Sequence, residues 1–248
     1  MNNPVITRHR HETRRRTLRV RKSHRLTPHM IRIELQSNEL ADFVSLGFDD
    51  HIKLFFPNGS EKPLMRDYTP RAFDNDANTL TLDFAVHQAG PATDWAINAK
   101  PGDCLEIGGP RGSAVITPVF DWWLLIGDET ALPAIGRCIE NLPRDAHSIT
   151  LCAVLDACEE QSFDALSNVE SFWTHRPEAL ATDAEPLLEL ARNLEFPKGD
   201  GFIWIAAEAG VARALKNYFL NLRSHSREHI KASGYWVKGA AATSDKAL

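Results

Sequence analysis

The chain has 248 residues, a hydrophobic content of 43%, a charged content of 25% and a formal net charge of −5. These values are typical of a soluble globular protein with one large domain or two ordinary ones. No apolar run approaches the roughly 20 residues that cross a bilayer, and the basic N-terminus lacks the apolar stretch of a secretory signal. The four cysteines form no C-x-x-C pair, so we expect reduced thiols, no metal centre and a cytoplasmic protein.

The N-terminal region is basic, and residues 1–16 are predicted to form a flexible arm. Between residues 8 and 25 the only acidic residue is Glu12. Such a segment could bind nucleic acid or another anionic surface. It lacks the interleaved aromatic residues of single-strand binders, so we favour a solvated tail and expect no nucleic-acid partner.

Two different patterns predict two domains. In residues 17–118, short strands with alternating apolar and polar residues indicate a small antiparallel barrel. In residues 119–248, continuous apolar strands alternate with helices, which indicates a parallel sheet covered on both faces. The predicted strands are 17–35 with a break at 27–28, 51–57, 79–87, 104–107, 122–127, 149–155, 171–174 and 202–207. The predicted helices are 93–99, 131–141, 185–194 and 211–223.

The stretch from Arg66 to Arg71 indicates a ligand site in the first domain. Arg66 and Tyr68 would share one face of an extended segment, followed by Thr69. A guanidinium beside an aromatic ring suits a flat, phosphorylated ligand such as FAD. The alternative is an ordinary strand end with a surface Arg.

A second phosphate-binding signal is Gly90-Pro91-Ala92-Thr93, at the start of a predicted helix. A helix N-terminus offers unpaired N–H groups, and a glycine lets a phosphate approach the backbone. Thr93 could instead simply cap the helix.

The ends of the predicted parallel strands carry acidic residues. Asp128 lies in a loop rich in small residues that lacks the G-x-G-x-x-G fingerprint. Glu208 could face a nicotinamide ring, as the one catalytic candidate, or cap the following helix. Asp156 could accept ribose hydroxyls, and the neighbouring acidic residues favour NADH over NADPH. Arg176 keeps NADPH open.

Five ordered motifs resemble those of the siderophore-interacting proteins, FAD-dependent ferric-siderophore reductases of the ferredoxin-reductase superfamily. The resemblance covers about residues 15–240. It implies a six-stranded antiparallel FAD-binding β-barrel followed by an α/β nicotinamide-binding domain. The motifs are Arg66-x-Tyr68-Thr69-Pro70-Arg71, Asp83-Phe84-x-Val86-His87 with Gly90-Pro91-Ala92-x-x-Trp95-Ala96, Gly109-Pro110-Arg111-Gly112, Gly127-Asp128-Glu129-Thr130-Ala131-Leu132-Pro133-Ala134, and Tyr235-Trp236-x-x-Gly239.

The resemblance also implies individual roles. The flavin and its phosphates would be held or lined by Arg66, Tyr68, Thr69, Asp83, Phe84, Val86, His87, Gly90, Pro91, Ala92, Thr130 and Ala131. The side of the flavin where nicotinamide docks would be covered by Tyr235 and Trp236, and an anionic siderophore would be met by Lys53, Arg111 and Lys238. Two departures from the family are a short loop at 88–89 and Ala207, where a glycine is usual.

The predicted activity is electron transfer from NAD(P)H, with NADH favoured, through FAD to a ferric siderophore, releasing Fe(II) for iron assimilation. A flavin suits this task because NAD(P)H delivers two electrons and ferric iron accepts one. The alternatives are an FAD reductase with another acceptor, such as ferredoxin, a quinone or free flavin, and a non-enzymatic binding protein. Ferredoxin is also considered as an electron donor, and we expect a monomer.

Overall fold

The computed structural model describes residues 5–59, 61–87, 90–117, 120–240, 244–245 and 248. The chain divides into two compact units, Ile6–Ile116 and Thr117–Leu248, the latter joined by the N-terminal residue Val5. Each unit has its own cluster of buried apolar side chains. Within the described residues, no helix is both long enough and apolar enough to cross a membrane.

The first unit is built from antiparallel strands. Seven of them form one sheet in the order β5-β4-β8-β2-β3-β7-β6, and β1 pairs with β9. The elements are β1 Ile6–Arg10, β2 Arg15–Thr27, β3 Met30–Gln36, β4 Ile52–Phe56, β5 Leu64–Tyr68, β6 Ala72–Asp74, β7 Thr79–Ala85, α1 Pro91–Asn98, β8 Cys104–Gly108 and β9 Gly112–Ile116, with a 3-10 turn at Asn38–Leu40.

The two edges of this sheet are joined by consecutive chain. β5 and β6 lie at opposite ends of the strand order, yet only residues 69–71 separate them. A sheet whose two edge strands follow each other so closely must curl towards closure, which gives the predicted antiparallel barrel. Counting β5 and β6 as one interrupted strand reduces the seven strands of the sheet to the six that were predicted.

Apolar side chains at alternate positions along the strands fill the interior of the barrel. In β2 the burial alternates from Arg15 to Val20, with Leu18 and Val20 inside. In β3 the buried residues include Ile33 and Leu35, as the period-two pattern predicts. The core of this unit therefore follows directly from the spacing of its apolar residues.

The N-terminal segment differs from the flexible arm predicted for residues 1–16. Ile6–Arg10 pairs with Gly112–Ile116 in antiparallel register, and β2 already begins at Arg15. Backbone hydrogen bonding holds β1, whose side chains are mostly exposed, so no apolar period marks it in the sequence. The predicted domain limits remain a prediction.

The second unit is a parallel five-stranded sheet with the order β12-β11-β10-β13-β14. β10 and β13 are buried along their whole length, which explains their unbroken apolar sequences. The elements are β10 Trp122–Asp128, α2 Leu132–Asn141, β11 His147–Val154, β12 Asn168–His175, α3 Glu185–Asn193, β13 Gly201–Glu208, α4 Ala209–Asn221 and β14 Ile230–Trp236, with 3-10 turns at Ala157–Glu159, Glu178–Leu180 and Arg227–His229. The predicted parallel sheet is confirmed, and β14 is an addition to it.

The order of the strands reverses next to β10. The chain passes from β10 to β11 on one side, whereas β13 lies on the other side. In open α/β sheets, ligands bind outside the carboxyl ends of the strands at such a switch point. The ends of β10 and β13, at Asp128 and Glu208, therefore mark the crevice of this unit.

Candidate functional site

An aromatic shelf lies at the end of β5. The Tyr68 ring packs on Phe84 with ring centroids 4.5 Å apart, and Phe84 in turn lies 5.7 Å from Trp95 of α1. The Phe84 side chain is fully buried, so it packs beneath Tyr68 as its support. The three rings bring β5, β7 and α1 together.

A cation accompanies the shelf. The half-buried Arg66 donates from Nη1 to the carbonyl of Met65, its one side-chain hydrogen bond among the described residues. Burial raises the pKa of the Tyr68 hydroxyl, and the charge of Arg66 acts in the opposite direction. The phenol is therefore neutral at physiological pH and able to donate a hydrogen bond.

Asp83 is committed to ion pairs within the barrel. Arg32 donates from Nε to Oδ1 and from Nη2 to Oδ2, each at 2.7 Å, and Nε of Arg71 lies 3.7 Å from Oδ2. The Asp83 side chain is 2% exposed. The Asp83 carboxylate thus pairs with two guanidinium groups, and its predicted role in lining the cofactor stays a prediction.

The other barrel residues of the predicted site vary in accessibility. Thr69 is buried between β5 and β6, and His87 is exposed. Val86 is half-buried, and its backbone N–H donates to the carbonyl of His29. The loop at 88–89 lies outside the described residues.

Helix α1 begins without a side-chain cap. Gly90 is the N-cap and Pro91 opens the first turn, followed by the buried Ala92. The hydroxyl of Thr93 does not cap the helix: it is buried and has no hydrogen-bond partner in the described part of the chain. The capping interpretation of Thr93 is therefore wrong.

These features fit FAD. An orphaned buried hydroxyl at an uncapped helix N-terminus suits a phosphate, which offers acceptor oxygens. The shelf of Tyr68 suits a planar ring system, and Arg66 suits the adjoining negative charge. Because Phe84 contacts both Tyr68 and Trp95, the shelf and the helix are parts of one arrangement.

In the second unit, Asp128 is a hub at the switch point. Its Oδ1 accepts hydrogen bonds from the backbone N–H and the hydroxyl of Thr130, at 2.9 and 2.5 Å. Its Oδ2 accepts from the N–H of Glu208 at 3.0 Å and from the indole Nε1–H of Trp236 at 2.9 Å. Asp128 is 2% exposed, so it organises its neighbours and presents almost no surface of its own. Ala131 beside it is fully buried.

Glu208 caps helix α4. Its Oε2 accepts hydrogen bonds from the N–H groups of Gly210 and Val211, and the residue is buried. The helix cap that the sequence allows is therefore observed, and a position of Glu208 facing a nicotinamide ring stays a prediction. The departure Ala207 is fully buried in the core of the sheet.

The remaining predicted residues of the second unit are Asp156, Tyr235 and Trp236. Asp156 accepts a hydrogen bond from the N–H of Cys158 at the start of a 3-10 turn. The ring of Tyr235 packs edge-on against the buried Trp204, with centroids 6.1 Å apart. Trp236 is half-buried at the end of β14.

From the sequence, Arg176 is considered for NADPH, but its ion pair with Glu129 is not predicted. Arg176 is almost fully buried and donates to Glu129 at 2.8 Å, at the carboxyl end of the sheet. Burial and the charge of Asp128 raise the pKa of Glu129 to about 7, although Arg176 opposes the shift. The signal available in the sequence was an acid and a cation that each follow a strand.

The predicted substrate-binding cations are distributed over both units. Lys53 forms an ion pair with Asp67 at 2.6 Å, directly opposite it in the β4–β5 register. Arg111 is exposed, and within the described residues its guanidinium has no ion pair. Lys238 is exposed and donates from Nζ to the carbonyl of Ala179 at 3.5 Å. The described residues contain no group of three or more His, Cys, Asp or Glu side chains that could hold a metal ion.

Comparisons with known proteins agree with this geometry. The siderophore-interacting protein family model matches residues 120–239, and the siderophore-interacting FAD-binding domain matches residues 19–63 and 58–114. The NADPH-dependent ferric-chelate reductase of Escherichia coli strain K12 is 32% identical, covering 92% of this chain and 94% of that protein. The ferric vibriobactin reductase ViuB of Vibrio cholerae is 28% identical, covering 89% of this chain and 88% of its own.

A solved structure extends the similarity to the fold. The siderophore utilization protein of T. fusca has a TM-score of 0.91 and 37% identity, and the alignment covers 98% of this chain and 100% of that one. The antiparallel barrel and the parallel sheet are those of the ferredoxin-reductase-like flavoproteins. The chain belongs to the siderophore-interacting protein family, with a siderophore-interacting FAD-binding domain in its first half.

Proposed function

We propose that this protein is an FAD-dependent reductase that passes electrons from NAD(P)H to a ferric siderophore. The observation that carries the proposal is the Tyr68–Phe84 shelf joined to the uncapped N-terminus of α1. It occurs in a chain whose relatives include proteins named ferric-chelate reductase and ferric vibriobactin reductase. Reduction weakens the bonding of iron to hard oxygen donors, so Fe(II) can leave the chelator.

The chain's own residues would hold the cofactor, and FAD, when bound, supplies conversion between two-electron and one-electron transfer. Tyr68 offers the ring for stacking and Arg66 the charge, followed by Thr69 in the same segment. The backbone N–H of Ala92 and the hydroxyl of Thr93 would bind phosphate. We assign Asp83 and Phe84 to support of this surface, because both side chains are buried.

For the electron donor, the proposal keeps NADH favoured over NADPH. Asp156 and its acidic neighbours suit ribose hydroxyls, and Arg176 is engaged by Glu129 rather than directed to a 2′-phosphate. The Escherichia coli relative is named NADPH-dependent, which supports the opposite choice. A direct comparison of the two nucleotides decides between them.

For the acceptor, exposed cations would attract an anionic ferric chelate. Arg111 is the strongest of the three candidates, because Lys53 is neutralised by Asp67. Replacing both Arg111 and Lys238 with Ala should raise KM for an anionic chelate more than KM for NADH. An equal rise in both KM values would show that these residues do not bind the ferric chelate. A monomer, a cytoplasmic location and ferredoxin as an alternative donor stay predictions.

The visible spectrum of the purified protein tests the proposal. After incubation with FAD and removal of the excess, we expect flavin bands that bleach under anaerobic conditions with NADH, NADPH or both. A protein that takes up no flavin would contradict the assignment. A flavoprotein that bleaches yet prefers a quinone, ferredoxin or free flavin over ferric chelates would favour the alternative acceptor class.

A further inference from the structure

We propose that Asp128 is the positioning residue of Trp236, and that this single carboxylate sets the affinity for the nicotinamide nucleotide. The inference rests on the proposed function and on the family resemblance, which implies that Trp236 lies where nicotinamide docks. Asp128 itself is only 2% exposed, so it offers almost no surface to a ligand. Its effect on binding must therefore pass through the groups that it holds.

The geometry around Asp128 joins three chain segments at one point. Thr130 belongs to the loop after β10, Glu208 ends β13 and Trp236 ends β14, and all three donate to the carboxylate. The strand order reverses between β10 and β13. The carboxylate thus connects the two sides of the crevice where α/β sheets bind their ligands.

The bond to the indole is the one that bears on the ligand. Trp236 is half-buried, and its Nε1–H is the only donor on its side chain. A charge-assisted hydrogen bond at 2.9 Å fixes the rotation of this large ring. Glu208 and Trp236 are also paired in the β13–β14 register, directly after a register shift. The backbone that carries the indole is therefore held at the end of the sheet.

A second contact supports the same arrangement. Oε2 of Glu208 caps α4, and its Oε1 accepts from the N–H of Lys238 at 3.4 Å. Glu208 therefore restrains the segment that follows Trp236, while Asp128 restrains Trp236 itself. Together the two acidic residues restrain the ring and the segment that follows it.

The test combines a spectroscopic and a binding measurement on the FAD-loaded protein. Asp128→Asn keeps the shape of the side chain but leaves one acceptor oxygen for four donors. Asp128→Ala removes both acceptor oxygens. The matched control is Asp121→Asn at the opposite end of β10, where the carboxylate accepts a backbone N–H from Asp200. If the Ala variant does not fold, the Asn variant carries the test.

The first measurement follows the indole. With six tryptophans in the chain, ¹⁵N-tryptophan labelling gives a small set of resonances, and Trp236→Phe identifies that of Trp236 by its loss. Asp128→Asn should move this resonance and speed its hydrogen exchange, whereas Asp121→Asn should not. An unmoved resonance overturns the inference.

The second measurement is the dissociation constant of NAD⁺ and NADP⁺ by calorimetry, which does not depend on turnover. Asp128→Asn should weaken the preferred nucleotide about tenfold, the scale of one charged hydrogen bond, while FAD content is kept. In a Trp236→Phe background the same change should have little effect, because the donor is already gone. Unchanged nucleotide affinity, or full additivity of the two changes, overturns the inference. Failure of the wild-type protein to reduce ferric chelates would contradict only the proposed function.

Discussion

Arg32 and Asp83 form a two-point ion pair across the β3–β7 interface, and both hydrogen bonds are 2.7 Å long. Arg71 approaches the same carboxylate from the segment between β5 and β6. Because this segment closes the barrel and follows Tyr68, the ion pairs fix the end of the aromatic shelf. The buried charge is thus structural support for the proposed flavin site.

We expect Asp83→Ala to destabilise the FAD-free protein by about 3–5 kcal/mol, because the change removes a buried carboxylate that pairs with two guanidinium groups. Urea denaturation followed by circular dichroism measures the loss. Asp76→Ala, on an exposed turn of the same unit, is the control and should cost no more than about 0.5 kcal/mol. A loss below about 1 kcal/mol for Asp83→Ala would show that the pair contributes little.

Thr93→Val separates cofactor binding from stability. The change removes a buried hydroxyl that has no partner among the described residues, so the FAD-free protein should be as stable as the wild type or slightly more so. FAD affinity should fall about tenfold if the hydroxyl binds a phosphate. Thr93→Ser, which keeps the hydroxyl, should retain most of the affinity. Undiminished FAD binding by Thr93→Val would exclude this residue from the site.

Arg66→Ala should lower FAD retention first, and activity only as a consequence of the lost FAD. A charged hydrogen bond to phosphate contributes about 1.5–3 kcal/mol, equivalent to roughly tenfold to hundredfold in the dissociation constant. The control is Arg21→Ala, whose exposed guanidinium pairs with Glu34 on the outside of the barrel. Fluorescence of released flavin during gel filtration measures retention. Stoichiometric FAD in the Arg66 variant would contradict the role of the shelf.

Glu129 should make stability dependent on pH. Its pKa in the folded protein is about 7 against 4.5 for the free side chain, so the folded state holds the proton more tightly. Its stabilising effect is complete below pH 4.5 and is lost as the pH rises towards 7, by up to about 3 kcal/mol. The Tm of the wild type should therefore fall relative to the Tm of Glu129→Gln between pH 5 and pH 8. Glu189→Gln, on the exposed face of α3, should follow the wild type, and parallel curves for Glu129→Gln would refute the shift.

The strands could be predicted wherever burial leaves a period in the sequence. Alternation predicts β3 and β7, and unbroken apolar runs predict β10 and β13, because each pattern records which faces of one strand are covered. β1 was missed since backbone pairing with β9 holds it and four of its five side chains are exposed. The alternation rule has nothing to detect in such a strand.

The site was predictable in its motifs but not in its contacts. Asp83 and Arg32 are 51 residues apart, and their pairing depends on which strands become neighbours in the barrel. Likewise, Trp236 and Asp128 are 108 residues apart, and only the sheet order joins them. The sequence motifs therefore predict which residues belong to the site, whereas the contacts that bury Asp83 and Asp128 follow only from the fold.

Single-turnover reduction of a ferric chelate tests the central proposal most directly. The FAD-loaded protein is reduced under anaerobic conditions with one equivalent of the preferred nucleotide and then mixed with a ferric catecholate siderophore. We expect the flavin absorbance to return while a ferrous indicator reports about two Fe(II) per FAD, since each iron accepts one electron. Flavin that stays bleached, with no Fe(II) formed, would contradict a ferric-siderophore reductase.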